Sequence, residues 1–254
     1  MTKKNHTLKT VLLYIVLALI AVIAIFPLFY IVMASFRTNI EIFDYALPFT
    51  WKTLIPQEWT FDNYVAIFEE FHFGLAIRNT LIVVAVLVPL SLCISALGGF
   101  VFAFFDFKGK NILFALCLIS FMVPIDAIVL PLYNLISRLG LVNSYASLIL
   151  PSAASGLAMF LFTQFFKEIP KSLLEAARID GANWLQVFAK VVLPLSIPVT
   201  ITAGLMVFVN EWNNFFWPLL VARTEEFRTI QVALSYFQDE NAVYFSYIFA
   251  GSAI

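Results

Sequence analysis

Five long apolar runs dominate this sequence, and each is long enough to cross the hydrocarbon core of a membrane as a helix, which takes about 20 residues. They are Val11–Phe36, Leu81–Phe105, Ile112–Ile136, Leu148–Phe166 and Ile197–Leu220. A sixth apolar run begins near Ala242 and reaches Ile254, too short to cross. We expect it to be the start of a sixth span whose remaining C-terminal residues are missing.

Helices are the expected form of these runs, because lipid offers no partner for a bare backbone N–H or C=O group. The alternating pattern of a membrane β-barrel is absent from the sequence. Apolar residues make up 62% of the chain and charged residues 12%, whereas about a quarter of a soluble domain is charged. We predict an all-α, polytopic membrane helix bundle of six transmembrane helices, the sixth truncated, in a single transmembrane domain over residues 1–254.

Lysine and arginine are unevenly distributed between the segments that link the runs. With the N-terminus inside, the inner segments hold nine cations and four acids, and the outer segments hold six cations and ten acids. Inner loops of membrane proteins carry an excess of lysine and arginine. We therefore predict a multi-pass protein with a cytoplasmic N-terminus and a cytoplasmic loop around Glu175. The net charge of −1 hides this asymmetry and gives no indication of nucleic-acid binding.

Two outer segments are long enough to hold structure of their own. The first, residues 37–77, can form a small folded cap, in which Thr60 or Asp62 is expected to cap an amphipathic helix over Tyr64–Phe71 that lies at the membrane interface. The second, residues 223–241, is long enough to touch a soluble partner.

An inner segment, residues 169–193, has the local signals of a helical hairpin. Ser172 and Glu175 have the spacing of a capping box, in which each side chain satisfies a backbone donor at a helix start. Gly181 can adopt the left-handed conformation that ends such a helix. A second, weaker capping signature follows at Asn183–Gln186.

Small residues on the first helix of this hairpin would let another surface come close to its backbone. These residues are Ala176 and Ala177, and the nearby apolar side chains that could anchor a partner are Leu173, Leu174, Trp184, Leu185 and Phe188. The hairpin could therefore dock into a cleft. It could equally be a solvated connector in which Glu175 is only a capping residue.

The segment Ile169–Ala182, with Leu193 and Pro194 after it, closely resembles the EAA loop of binding-protein-dependent ABC importer permeases. Other stretches are similar to the carbohydrate, maltose-type branch of that family and to its smaller, six-span subunit. They are Thr60–Tyr64, Met122–Pro124, Leu130–Tyr133, Leu139–Ser144, Leu148–Pro151 and Glu211–Phe215, with Pro218 and Leu219.

The resemblance implies a role for the hairpin and a set of partners. It assigns ATPase coupling to Glu175, Ala176, Ala177, Asp180, Gly181, Leu193 and Pro194. It also implies a second permease subunit in a heterodimer, two ATP-binding subunits, an extracytoplasmic solute-binding protein and a location in a bacterial inner membrane, surrounded by lipid. This chain would need no cofactor, since the partner ATPase would bind ATP and Mg.

The only acids inside the apolar runs are Asp126 and Glu211, and ionisable groups at such depth usually face a bundle interior or a watery cavity. Glu211 is followed by Trp212, Asn213 and Asn214, which together could offer a stacking face and hydrogen bonds to a sugar. The alternative is hydrogen bonding of this cluster to the partner permease.

Three further residues belong to the tentative substrate pathway. Asp126 follows Pro124, so it could instead be solvated or cap a helix. Tyr133 and Asn134 could line the same cavity as the Glu211 cluster, or could be packing or interface residues. The two cysteines, Cys93 and Cys117, lie within apolar runs and are interpreted as packing residues, and no metal ligands are expected.

No phosphate-binding P-loop, zinc-protease motif or nucleophile elbow occurs in the sequence. The chain is therefore expected to be a transport subunit that forms half of a sugar pathway and works by alternating access, with ATP hydrolysis in a separate subunit. The alternatives are an importer permease for another polar solute, such as a polyol or glycerol phosphate, and an ion-coupled carrier. A membrane enzyme that uses Asp126 and Glu211 as acid and base has no motif to support it.

Overall fold

The computed structural model describes residues 3–239 and 242–254 and divides them into two compact units. Residues 1–74 and 233–254 belong to the first unit, and residues 75–232 to the second. Helices account for the described secondary structure except for one two-residue antiparallel ladder, which confirms the all-α class. Residues 240 and 241, at the end of the predicted outer loop 223–241, lie outside the described part of the chain.

The first unit contains the N-terminal helix, the outer segment and the C-terminal helix. Its elements are α1 (Lys3–Ser35), α2 (Asn39–Asp44), α3 (Trp51–Leu54), α4 (Asp62–Glu69), β1 (Gln238–Asp239), β2 (Ala242–Val243) and α16 (Phe245–Ser252). Helix α16 packs against both α1 and α4. Tyr30 of α1 meets Phe249 of α16 edge to face, with ring centroids 5.7 Å apart.

A buried arginine holds together the segment between α1 and α4. The Arg37 guanidinium donates to the Glu41 carboxylate at 3.2 Å and to the carbonyl groups of Thr53, at 2.9 Å, and Lys52, at 2.5 Å. The side-chain amide of Asn63 donates to the Arg37 carbonyl at 2.7 Å and so ties α4 to the end of α1. Burial of the arginine is tolerable because its donors are matched by acceptors.

The predicted helix near Thr60 is confirmed, with a different capping residue. Helix α4 starts at Asp62 with Phe61 at its N-cap position, and Phe61 has no side chain that can cap. The Thr60 hydroxyl instead accepts a hydrogen bond from the Asp62 N–H at 3.1 Å. The helix ends at Glu69 rather than at Phe71.

The second unit contains the remaining helices, two of which cross its boundary. They are α5 (Phe73–Phe104), α6 (Lys110–Met122), α7 (Ile125–Arg138), α8 (Tyr145–Ile149), α9 (Gly156–Glu168), α10 (Lys171–Ile179), α11 (Trp184–Val187), a π-helical turn (Phe188–Val192), α12 (Leu193–Leu195), α13 (Ile197–Trp212), α14 (Phe216–Val221), a 3-10 turn (Glu225–Phe227) and α15 (Ile230–Ser235).

Three of the five predicted spans are interrupted. The third run divides into α6 and α7, which meet at 93°, because Pro124 lacks an N–H and favours an extended residue before it. The fourth run contains Pro151 and divides into α8 and α9, of which α9 has only 13 residues. The fifth run stops at Trp212 and resumes as α14.

By length and composition, two helical stretches within the described residues can cross a membrane, Lys9–Ser35 and Phe73–Phe104. Counting each of two bent helix pairs as one span raises this number to four. Proline-induced bends, which an average of side-chain hydrophobicity does not detect, therefore divide predicted spans into shorter helices.

Close helix contacts in the second unit depend on two glycines. A Cβ atom at Gly99 of α5 would come within 2.7 Å of the Phe162 Cβ on α9. A Cβ atom at Gly156 would come within 2.6 Å of the Phe121 Cβ on α6. Small residues allow helix backbones to approach in membrane bundles. These two positions hold α9 between α5 and α6, and so place the residues that line the cavity described below.

Candidate coupling hairpin and transport cavity

The first helix of the inner hairpin, α10, begins without the predicted capping box. Pro170 occupies the N-cap position, and no side chain caps the helix. The helix starts two residues earlier than the pattern implied, so Ser172 already lies inside the first turn and cannot cap it. The prediction of reciprocal bonds between Ser172 and Glu175 is therefore wrong. The Glu175 carboxylate is exposed instead.

The end of α10 matches the prediction for Gly181, which has a φ of +87°. The Gly181 N–H donates to the Arg178 carbonyl at 3.1 Å, and the Ala182 N–H donates to the Ala177 carbonyl at 3.0 Å. This pair of bonds is a Schellman motif, and its left-handed residue is usually glycine. A Cβ atom at Gly181 would meet nothing within 4 Å, so backbone conformation, and not space, requires the glycine.

The second helix begins at the predicted capping signature. The Gln186 N–H donates to the Asn183 side chain, and the Asn183 N–H donates to the Gln186 side chain, both at 2.9 Å. These reciprocal bonds form a capping box. The helix continues from α11 through the π-helical turn Phe188–Val192 into α12.

Aromatic contacts fasten the hairpin to the end of α5. The Trp184 ring lies 4.8 Å from the Phe105 ring, and the Arg178 guanidinium lies over Trp184 at 4.9 Å. Phe188 is buried and packs against Phe100 at 5.2 Å. The hairpin is thus a rigid extension of the helix bundle.

The predicted apolar anchors serve two different purposes. Leu174 and Phe188 are buried within this chain, whereas Leu173 and Leu185 are exposed. Ile179 is 85% exposed, although the sequence analysis did not name it as an anchor. The one feature of the sequence that could have identified Ile179 as an anchor is its position inside the EAA-like segment. Exposed leucine and isoleucine side chains on a tightly anchored hairpin indicate a surface that meets a partner.

A sharp bend connects the hairpin to α13. The helical stretch Trp184–Leu195 and helix α13 meet at 82°. Pro194 and Pro198 lie on either side of the bend, and each removes a backbone donor. The buried Ser196 hydroxyl donates to the Val192 carbonyl at 2.6 Å, which satisfies one carbonyl near the break. Movement of the hairpin would therefore be transmitted directly to α13.

A cavity of about 500 Å³ lies against α13 and is bounded by α5, α6 and the start of α9. Its polar lining residues are Ser95, Ser120, Ser152, Ser155, Asn210 and Glu211, and its apolar ones include Leu87, Ile94, Phe121, Met159, Met206 and Val207. Cys117 also lines it. A small number of precisely placed polar groups in a mainly apolar wall is typical of small-molecule sites.

Glu211 is buried at the wall of this cavity, with 6% of the residue exposed. The Asn214 side-chain amide donates to its two carboxylate oxygens at 3.3 and 3.4 Å, and the Ser152 hydroxyl is a further hydrogen-bond partner. The structure therefore brings Glu211 and Asn214 together. It also brings in Ser152 from the break between α8 and α9.

The neighbours of Glu211 in sequence point elsewhere. Trp212 stacks on Phe208 with ring centroids 5.5 Å apart and a 22° angle between the ring planes. Asn213 is exposed and donates to the Val209 carbonyl at 2.8 Å. Neither Trp212 nor Asn213 is one of the described residues that line the cavity.

The other candidate pathway residues also lie away from this cavity. Asp126 is exposed in the first turn of α7, where its negative charge interacts favourably with the helix dipole. The Tyr133 ring lies beneath the Arg223 guanidinium at 5.3 Å, and Asn134 is exposed. None of the three lines the cavity formed by the described residues.

Sequence reasoning missed the serines and Asn210. Single serines are common in membrane helices, and the sequence contains no signal that four of them face one space. Ser152 and Ser155 lie in the break between α8 and α9, so the Pro151 interruption within an apolar run was the one available indication.

Comparison with known proteins agrees with this architecture. Residues 95–254 match the family model described as "binding-protein-dependent transport system inner membrane component". The chain is 38% identical over 238 residues to the arabinooligosaccharides transport system permease protein AraQ of Halalkalibacterium halodurans, covering 92% of this chain and 84% of AraQ. It is 34% identical to the sn-glycerol-3-phosphate transport system permease protein UgpE of Rhizobium meliloti, covering 84% of this chain and 76% of UgpE.

A solved structure has the same fold. A chain in the crystal structure of a bacterial ABC transporter involved in the import of the acidic polysaccharide alginate superposes with a TM-score of 0.81 and 22% identity, over 100% of this chain and 93% of that one. The family match covers more than half of the residues and agrees with the hairpin, the helix bundle and the lack of any ATP-binding motif. The chain therefore belongs to the binding-protein-dependent transport system inner membrane components, and it is an ABC importer permease, a transport subunit rather than an enzyme.

Proposed function

We propose that this chain is one of two permease subunits of an oligosaccharide importer, and that it couples ATP binding to solute passage through the α10–α11 hairpin. The observation that carries the proposal is the continuity of the hairpin, through one bend, with the helix that bears Glu211. The similarity to AraQ, an arabinooligosaccharides transport system permease protein, supports an oligosaccharide as the solute.

The exposed side of the hairpin would fit a groove in an ATP-binding subunit. Ile179 and Leu185 provide apolar contacts, and Glu175 and Asp180 provide charge at the same end of the bundle. Ala176 is exposed and small, so a partner can approach the backbone of α10 there. Leu193 and Pro194 would set the angle at which the hairpin joins α13.

The remaining parts of the proposal concern topology and partners. The distribution of lysines supports a cytoplasmic N-terminus and a cytoplasmic hairpin in a bacterial cell, where the two ATP-binding subunits would bind ATP and Mg. A second permease would complete the pathway, and an extracytoplasmic binding protein would deliver the solute. Closure of the ATPase dimer would draw the hairpins together and open the cavity outward.

Reconstitution tests this function directly. The complete transporter in proteoliposomes should take up a labelled arabino-oligosaccharide only with ATP inside and binding protein outside. Uptake driven by an ion gradient alone would refute the proposal. Growth of a strain lacking this chain on a panel of carbon sources would then identify the solute.

A second candidate is import of glycerol phosphate, because UgpE is 34% identical to this chain. The two candidates share the coupling mechanism and differ in the charge of the solute. The same proteoliposomes separate them, since uptake of labelled sn-glycerol 3-phosphate and not of the oligosaccharide would favour this second function.

A further inference from the structure

We propose that the cavity beside Glu211 selects uncharged, hydroxyl-rich solutes and excludes phosphorylated or carboxylated ones, with Glu211 as the specificity-determining residue. This inference rests on the proposed function, because it names the class of solute that passes the cavity. It concerns a site to which the comparisons assign no role.

The charge of the cavity wall carries the argument. Glu211 lies at the wall with 6% exposure, and no lysine, arginine or histidine is among the described residues that line the cavity. No salt bridge to Glu211 occurs within the described part of the chain. The hydrogen bonds that its two oxygens accept from the Asn214 amide favour the ionised carboxylate, and an ionised carboxylate at the wall repels an anion. Sites that bind phosphate or carboxylate instead present arginine, lysine or free backbone donors.

One feature of the cavity favours anions, and it is partly capped by a side chain of the same chain. The N-terminus of α9 reaches the cavity at Ser155 and Gly156, and a helix N-terminus carries about half a positive charge. The Ser155 hydroxyl accepts from the Ala158 N–H at 3.2 Å and so satisfies one of the free donors there. Half a charge is also smaller than the full charge of the carboxylate.

The remaining polar groups suit hydroxyl groups. The Ser95 and Ser120 hydroxyls donate to the carbonyl groups of Ser155 and Cys117, so they present acceptor lone pairs to a solute, and these can accept from sugar hydroxyls. The Asn210 side chain is exposed and makes no hydrogen bond to any residue that the structure describes, so its amide is available to a solute. A carboxylate accepts from sugar hydroxyls in short, charge-assisted bonds. The wall therefore complements a neutral sugar and opposes an anion.

Cys117 provides a direct probe, since its side chain lines the same cavity. The assembled transporter in nanodiscs is treated with a cationic or an anionic methanethiosulfonate reagent at mildly alkaline pH, where thiols react. Mass spectrometry of the peptide that contains Cys117 measures each rate. The ratio of the cationic to the anionic rate reports the potential in the cavity and requires no transport.

Glu211→Gln should lower this ratio by at least about five-fold. This is the order expected when a single negative charge, which attracts the cationic reagent and repels the anionic one, is removed. Glu226→Gln removes an equal charge from an exposed residue that does not line the cavity, and should leave the ratio unchanged. Asn210→Asp adds a carboxylate to the same wall and should raise the ratio, which keeps the test decisive if Glu211→Gln does not fold.

Two results would overturn the inference. The first is a ratio that a folded Glu211→Gln variant leaves unchanged or, where that variant does not fold, one that Asn210→Asp leaves unchanged, which would mean that no carboxylate at this wall carries an effective charge in the assembled transporter. The second is a Cys117 that reacts with neither reagent, which would mean that no solute reaches the cavity. Because the assay requires no uptake, either result is distinguishable from failure of ATP-driven uptake in proteoliposomes, which would refute the proposed function itself.

Discussion

The backbone N–H of Leu193 donates to the carbonyl of Phe188, five residues earlier, and this bond closes a π-helical turn directly before Pro194. In a regular α-helix the Pro194 ring would collide with the carbonyl four residues before it. The wider turn accommodates the proline and adds one residue to the helix. It therefore sets the rotation of the hairpin about the axis that leads to α13.

Pro194→Ala should uncouple hydrolysis from transport. Alanine restores the missing N–H and allows a regular α-helix, which would rotate the hairpin by about 100° relative to α13. We expect the complex to assemble and hydrolyse ATP while uptake per ATP falls. Pro131→Ala, in the middle of α7 and far along the chain from the hairpin, is the matched control. Equal uptake per ATP in the two variants would contradict a role for the π-helical turn.

Substitutions at Gly181 should separate backbone strain from docking. Gly181→Ala introduces a Cβ at φ +87° with no steric contact, so it should destabilise the hairpin by about 1 kcal/mol and weaken coupling partly. Gly181→Asn tolerates the left-handed conformation and should retain more activity. Gly181→Glu adds bulk and charge to the exposed surface and should uncouple or disassemble the complex. ATPase recovery and uptake are the measurements.

Glu175→Lys should reduce binding of the ATPase and leave the membrane helices folded. The residue is exposed, so the substitution changes the charge of the docking surface and little else. Glu168→Lys makes the same charge change at the end of α9, outside the hairpin, and should have a smaller effect. Co-purification of the ATPase with normal transport in the Glu175 variant would refute its role in coupling.

Trp212→Ala tests whether the Trp212 ring lies on the solute pathway. If a sugar ring stacks on it, the substitution should raise KM about three- to ten-fold, as expected for loss of one stacking contact. Trp212→Phe keeps a ring that can stack on Phe208 and should recover most of the affinity. Unchanged uptake kinetics in the alanine variant would remove Trp212 from the pathway and leave Asn210 and Glu211 as the polar pathway residues on α13.

Asn79→Ala should destabilise the second unit. Asn79 is fully buried, and its amide donates to the carbonyl groups of Glu226, at 2.8 Å, and Arg228, at 3.0 Å, while it accepts from the Tyr145 hydroxyl at 2.8 Å. Its removal leaves these groups without their partner, at a cost of about 2–3 kcal/mol. Thermal unfolding of the complex measures the loss. Exposed Asn111→Ala is the control, and an equal unfolding temperature for both variants would contradict the prediction.

Local sequence signals predicted the hairpin well where the controlling interactions are themselves local. The left-handed Gly181 and the reciprocal bonds of Asn183 and Gln186 involve residues only a few positions apart. The same reasoning failed at Ser172 and Glu175, because the helix begins two residues earlier, after Pro170. A capping pattern specifies which residues can cap and does not specify the residue at which the helix starts.

The apolar runs by themselves determined that this chain is a helical membrane protein. Their side chains are too apolar to face water, and a chain surrounded by lipid must satisfy its backbone hydrogen bonds internally, as a helix does. The EAA-like segment likewise indicated an importer permease, which the family match confirmed. Only the tertiary structure brought Ser95, Ser120 and Ser152 to one cavity beside Glu211 and left Asp126 outside it. Which side chains face a shared space depends on helix bends and on close contacts at Gly99 and Gly156, and these are properties of packing between segments far apart in the chain.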